Sequence, residues 1–108
     1  MRTILKSKLC NLKVTDANLH YDGSISLDPE LMRKADIIEY EQVHVLNATN
    51  GKRFITYAIA GDENEVCVNG AAAHLVEIDD EIIVLSYSIR DGSPVYDSFP
   101  PPKIVKCG

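Results

Sequence analysis

Short runs in which residues alternate along the chain, each closed by a pair of turn-forming residues, constrain this sequence more than any other feature. Val43 and Val45 alternate with His44 and Leu46, and Ile55, Tyr57 and Ile59 alternate with Thr56, Ala58 and Ala60, which is the two-residue period of half-buried strand. Glu81 to Ile89 is a third run, and its Ile82-Ile83-Val84-Leu85 stretch is contiguous enough to be covered on both faces. Leu12 to Val14 and Glu65 to Val68 are shorter strand candidates. Turns at Asp22-Gly23, Asn50-Gly51, Gly61-Asp62 and Asn69-Gly70 each supply a residue that tolerates positive φ. The pattern predicts a mainly β fold, a small barrel. Two helical pieces interrupt it. Asp28 caps the first, with Pro29 at its first position and Glu30 in its first turn, and carries it to about Ala35; Gly70 to Leu75 forms an alanine-rich turn or two. From Arg90 onward Asp91-Gly92-Ser93-Pro94 and Pro100-Pro101-Pro102 remove donors and block helix. Residues 1–89 therefore read as one folded domain and 90–108 as an irregular, proline-rich tail.

A chain of 108 residues has room for one core, and a domain of this size buries roughly 65% of its unfolded surface. Little depth is left for an enclosed pocket, so an active site would need a partner subunit. Eleven basic against 16 acidic residues give a net charge of −5 without any basic block, which excludes nucleic acid as a partner on electrostatic grounds. No apolar run approaches the 18 or more residues that span a bilayer, and Met1 to Lys6 carries charge where a secretion signal needs an apolar stretch. The expectation is a cytoplasmic protein with no membrane contact. Cys10, Cys67 and Cys107 are odd in number and form no C-x-x-C pair, which fits reduced thiols. His20, His44 and His74 lie 24 and 30 positions apart, unlike a helical or hairpin ligand pair, so no metal is expected. Asp79-Asp80-Glu81 reads as a solvated turn ahead of an apolar strand. No G-x-G-x-x-G, Walker loop or G-x-S-x-G elbow occurs, which removes the usual carriers of nucleotide binding and serine hydrolysis.

One segment stays open on local physics. Leu19-His20-Tyr21-Asp22-Gly23-Ser24-Ile25-Ser26 reads as an Asp-Gly hairpin turn whose serine satisfies backbone groups. Gly-Ser is also a dipeptide at which a chain can cut itself, because the hydroxyl sits one residue beyond a carbonyl that no Cβ shields.

Three blocks carry a family resemblance: Lys6-Ser7-Lys8-Leu9 with Val14 to Ser24, Thr49 to Ile59, and Val68-Asn69-Gly70-Ala71-Ala72-Ala73-His74. In order and spacing, over about four-fifths of the chain, they resemble the pyruvoyl-dependent, self-processing aspartate decarboxylases. The resemblance implies a double-psi β-barrel with a few short helices, assembled as a homotetramer with active sites between subunits. It implies self-cleavage between Gly23 and Ser24 into a β-chain of residues 1–23 and an α-chain of residues 24–108. The pyruvoyl group left at residue 24 would be the cofactor, in place of pyridoxal phosphate and without metal. The substrate would be L-aspartate and the product β-alanine, for pantothenate synthesis.

Residue by residue, the resemblance makes Ser24 the pyruvoyl precursor and Tyr57 the proton donor. Gly23, Ser24, Thr56 and Asn69 would serve processing. Lys8, Arg53, Thr56, Gly70, Ala71 and Ala72 would bind substrate, with Arg53 on the carboxylate that is kept. Thr56 and Tyr57, adjacent on a strand, face opposite sides, so a twist or a shared site is needed to use both. Cys10, Leu46 and Ile25 depart from residues common in the family, which often has histidine, tryptophan and cysteine there. An accessory maturation factor is left open. The alternative is an unprocessed, non-catalytic β-barrel interaction module.

Overall fold

The structure, a computed structural model, describes residues 1–91 and 100–108. Gly92, Ser93 and Pro94 of the expected irregular tail lie outside the described residues. In chain order the elements are β1 (Arg2–Lys13), β2 (Asp16–Asn18), β3 (Ser24–Leu27), α1 (Pro29–Lys34), β4 (Gln42–Asn47), β5 (Arg53–Ala60), β6 (Val66–Asn69), a 3-10 helix (Gly70–Leu75), β7 (Glu81–Arg90) and β8 (Lys103–Lys106). The fold is mainly β, as the alternation predicts, and both helical pieces form where expected. Asp28 Oδ1 accepts from Glu30 N at 2.8 Å ahead of Pro29, the capping geometry that its position suggested.

The strands form one sheet in the order β2-β6-β3-β5-β4-β7-β1-β8. β2 stands at one end of that order and β1 near the other, yet only Val14 and Thr15 join them, so the sheet has to curl. Backbone bonds hold the link on both sides: Val14 N donates to Asp80 O at 3.0 Å and Thr15 N to Val66 O at 2.8 Å. The ladder does not close into a ring among the described residues. A shared interior holds the curl instead, with Leu9, Val14, Ile25, Leu27, Val43, Val45, Val68, Ile82 and Val84 all essentially buried in one cluster. Each such side chain contributes about 1.5–3 kcal/mol on leaving water, and because they come from five strands and the β1–β2 link, the sheet cannot flatten without exposing several of them.

Four expectations need correction. β1 is twelve residues long, not the short Leu12–Val14 candidate, because its inward positions include Ser7 beside Leu9 and the alternation is masked. Asp22-Gly23 does not close a hairpin, since β2 and β3 each pair with β6 and not with one another. Residue 90 still belongs to β7, and part of the tail is strand: β8 runs parallel to β1, with Ser7 opposite Lys103 and Cys10 opposite Lys106. Asp80 is not a solvated turn residue. It is buried, and its Oδ2 accepts from Asn47 Nδ2 at 2.8 Å and from Glu77 N at 2.9 Å.

Candidate active site

β3 carries the decisive pair of faces. Ile25 and Leu27 enter the core, so alternation turns Ser24 and Ser26 to the outer face. β6 does the same with Val66 and Val68 inward and Cys67 and Asn69 outward. Antiparallel register sets Ser24 opposite Asn69 and Ser26 opposite Cys67. Those four side chains make a buried polar patch. Asn69 Nδ2 donates to Ser24 Oγ at 2.8 Å and to Ser26 Oγ at 3.0 Å, while the Cys67 thiol donates to Asn69 Oδ1 at 3.2 Å. Ser24 Oγ lies 3.4 Å from Asp22 O, the long end of hydrogen bonding.

The turn after Asn69 completes the approach. Gly70 has a φ of 73°, which favours glycine. A Cβ at this position would lie 2.7 Å from Gly23 Cα and 2.8 Å from Gly23 N. Gly23, the residue before Ser24, is thus packed against the Gly70 backbone with no side chain between them.

On the other side of β3, parallel register pairs Ile25 with Ala58 and Ser26 with Ile59 on β5. Ala58 is buried in the core, so Thr56 shares its inward side, and Arg53, Ile55, Tyr57 and Ile59 share the outer face with Ser24. One step back along both strands sets Ser24, the first residue of β3, level with Tyr57. Thr56 and Tyr57 do face opposite sides, as their adjacency requires. The Tyr57 ring rests against Tyr40, with centroids 6.3 Å apart, and Tyr40 N donates to Ala58 O at 2.7 Å.

Arg53, exposed, lies four residues from Tyr57 along the same face, about 13 Å away. Lys8 is half-buried on β1. Its cross-strand row runs through Leu85 and His44 to Ile55, three strand spacings or roughly 14 Å. One chain therefore brings Gly23, Ser24, Asn69 and Gly70 together, sets Thr56 and Tyr57 alongside by register, and leaves Arg53 and Lys8 farther out on the outer face. Ala71, exposed, and Ala72, half-buried, lead away from Gly70 on the 3-10 helix.

Sequence reasoning missed Ser26 and Cys67, which bond the Asn69 amide directly. Had Ser24–Leu27 and Val66–Asn69 been read as paired strands, the two-residue spacing from Ser24 and from Asn69 would have placed both on the outer face. Burial, then the charges of Asp16 and Glu65, push the Cys67 thiol above its ordinary range, which keeps the proton it donates. A cleft of about 360 Å³, lined by Asp16, Asp62 and Glu65 among others, reaches this patch at Ser26, Cys67 and Asn69.

Comparison with known proteins shows the family. The family model for aspartate decarboxylase matches residues 1–107, so the likeness extends through the tail and beyond the four-fifths covered by the three blocks. An aspartate 1-decarboxylase of Kosmotoga olearia is 50% identical over 107 residues, 97% of this chain and 90% of the relative. One from Thermoanaerobacter pseudethanolicus is 52% identical over 92 residues, covering 83% of this chain and 79% of that protein. Another from Clostridium botulinum is 53% identical over 87 residues, 79% and 68% of the two chains. A chain matched almost end to end, with its Gly-Ser pair held against Asn69 and Gly70, belongs to the aspartate decarboxylase family of carboxy-lyases.

Proposed function

We propose that this chain cleaves itself between Gly23 and Ser24 and then decarboxylates L-aspartate to β-alanine and carbon dioxide. The observation that supports this most is the placement of Ser24 Oγ, buried and held by Asn69 at 2.8 Å, one residue after a glycine whose Cα and N pack on Gly70. Ser24 Oγ attacks the Gly23 carbonyl, with Thr56, next to Tyr57 on β5, as the hydroxyl that bonds the developing oxyanion. Collapse replaces the Gly23-Ser24 amide by an ester and frees the Ser24 amine. Loss of the Ser24 α-proton breaks the Cβ–O bond, releases the Gly23 carboxylate and leaves an enamine at residue 24. Water then displaces ammonia and a ketone remains.

The residues present fit a pyruvoyl group: a Cβ on Gly70 would crowd the backbone before residue 24, and glycine there leaves that space open beside the Asn69 amide. Once formed, that group supplies a ketone for the substrate amine and an amide carbonyl that takes up the electrons released with carbon dioxide. Arg53 offers a planar fork to the carboxylate that is kept, and Lys8 adds a point charge. Tyr57, on the face and at the level of residue 24, delivers a proton to the carbon that loses carbon dioxide. Gly70, Ala71 and Ala72 meet substrate through backbone atoms.

The same reading gives each site two protomers of a homotetramer. Its support is the outer face, which carries Tyr57, Arg53 and Lys8 together with Ile55, 58% exposed; a second subunit laid there would bring distant cations to Ser24. Three free cysteines accord with a cytoplasmic setting, and β-alanine is the building block for pantothenate. Among the described residues no helix is long and apolar enough to cross a membrane.

Mass spectrometry of purified protein tests the reading. Two fragments are expected, one ending at Gly23 and one beginning with a carbonyl-blocked residue 24. A persistent full-length mass would favour the non-catalytic barrel module.

A further inference from the structure

Asn69 has a carboxamide with two chemically different ends, and which end faces Ser24 changes what the nucleophile experiences. Facing Ser24 with its NH₂, the amide donates to Oγ and leaves the hydroxyl proton free to depart. Facing it with oxygen, the amide would accept that proton and hold it on the serine. Neither hydroxyl in the patch selects between these orientations, since Ser24 and Ser26 can each donate or accept. Cys67 does select. Its thiol reaches Asn69 Oδ1 at 3.2 Å, whereas both serines take the Nδ2 end, and gives the carbonyl end a donor only in the observed orientation. Ser26 then takes the second amide hydrogen at 3.0 Å. The whole set is buried, with Ser24 and Asn69 at 1% and 3% exposure, so the orientation is governed mainly by these side chains.

We propose that Cys67 and Ser26 are positioning residues for self-processing: they fix the Asn69 carboxamide with its NH₂ toward Ser24 and thereby set the rate of chain cleavage. Neither touches the bond that breaks. The inference rests on Ser24 being the processing nucleophile. Register explains why these two positions hold the role, because Ser26 and Cys67 form the cross-strand pair directly behind Ser24 and Asn69 on the same face. Retention of the thiol proton supports it, since burial and nearby carboxylates disfavour a thiolate that could only repel Oδ1.

The test is the half-time of precursor cleavage, read by mass, in the wild type and in Cys67→Val, Cys67→Ala, Cys67→Ser and Ser26→Ala, with folding followed by circular dichroism. Loss of one hydrogen bond that orients the amide should slow Cys67→Val and Cys67→Ala about fivefold to tenfold. Cys67→Ser, which restores a donor, should cleave within about twofold of wild type, a recovery that mere packing would not produce since serine is the poorer apolar filler. Ser26→Ala should slow cleavage by a smaller factor. Should Cys67→Val fail to fold, Cys67→Ala against Cys67→Ser carries the comparison. The proposal is overturned if the apolar variants cleave as fast as wild type, or if Cys67→Ser is as slow as they are. Failure of the underlying reading looks different, because then the wild type itself stays uncut.

Discussion

Gly70 and Gly23 approach so closely that a methyl on the first would sit 2.7 Å from the Cα of the second. The contact ties the turn that ends β6 to the peptide that precedes β3. Replacing Gly70 by alanine would place a side chain at a φ of 73°, which costs about 1–2 kcal/mol before any clash is counted. The Gly70→Ala protein should melt about 5–10 °C lower and remain a single uncut chain, as thermal denaturation and mass spectrometry would report. Cleavage at the normal rate would show that the close approach is dispensable.

Removing the Ser24 hydroxyl should separate folding from chemistry. Asn69 Nδ2 still reaches Ser26 in Ser24→Ala, so the stability change should stay within about 1 kcal/mol. Neither chain cleavage nor carbon dioxide release is expected. In wild-type protein, borohydride with aspartate should attach ligand to the larger fragment; in the variant it should attach none.

Tyr57 and Arg53 share the outer face with Ser24 but are proposed for different tasks, and kinetics should distinguish them. Tyr57→Phe should process normally and lose about 100- to 10,000-fold in kcat, the range associated with a positioned acid. Arg53→Lys should raise KM for aspartate about tenfold to a hundredfold as the bidentate fork is lost, with kcat less affected. Reversal of the two patterns would reassign the residues.

Acid should weaken the fold through Asp80. The hydrogen bond from Asn47, then that from Glu77 N, holds its carboxyl below the usual range despite opposing burial. A group whose pKa is depressed by folding stabilises above its unfolded value, about 3.9, and that contribution fades as pH falls through the lower folded value. Tm of the wild type should therefore drop as pH is lowered from about 4. Asp80→Asn should start from a lower Tm at pH 7 and show a flatter acid limb in scanning calorimetry; an identical limb would remove Asp80 from the acid transition.

Much of the scaffold was legible because its cues are local. Val43 and Val45 point inward and His44 outward by the pleat alone, Asn50-Gly51 closes the β4–β5 hairpin with Gly51 at positive φ, and Asp28-Pro29-Glu30 starts α1. Strands β1 and β3 were harder to read. β1 puts Ser7 on its inner side, where an apolar residue would have declared the pattern, and β3 is only four residues long and follows directly on the Asp22-Gly23 turn signal. The Gly23-Ser24 pair stood out through its neighbours in sequence, whereas Ser26 and Cys67 gave no signal until the β3–β6 register was known. Asp80 was misread because its partner Asn47 lies 33 positions away.

Sequence alone determined the alternation, the turns, the capped helix and the family, since each depends on residues close in the chain or on their order along it. Only the tertiary structure decided that Gly70 meets Gly23, that the Asn69 amide is clasped between Cys67 and two serines, and that Tyr57 stands level with Ser24. Those relations follow from strand register and from the curl that carries β1 into β2. Register is set by how some nine buried side chains from distant segments pack together, a sum over long-range contacts that no local window of sequence contains.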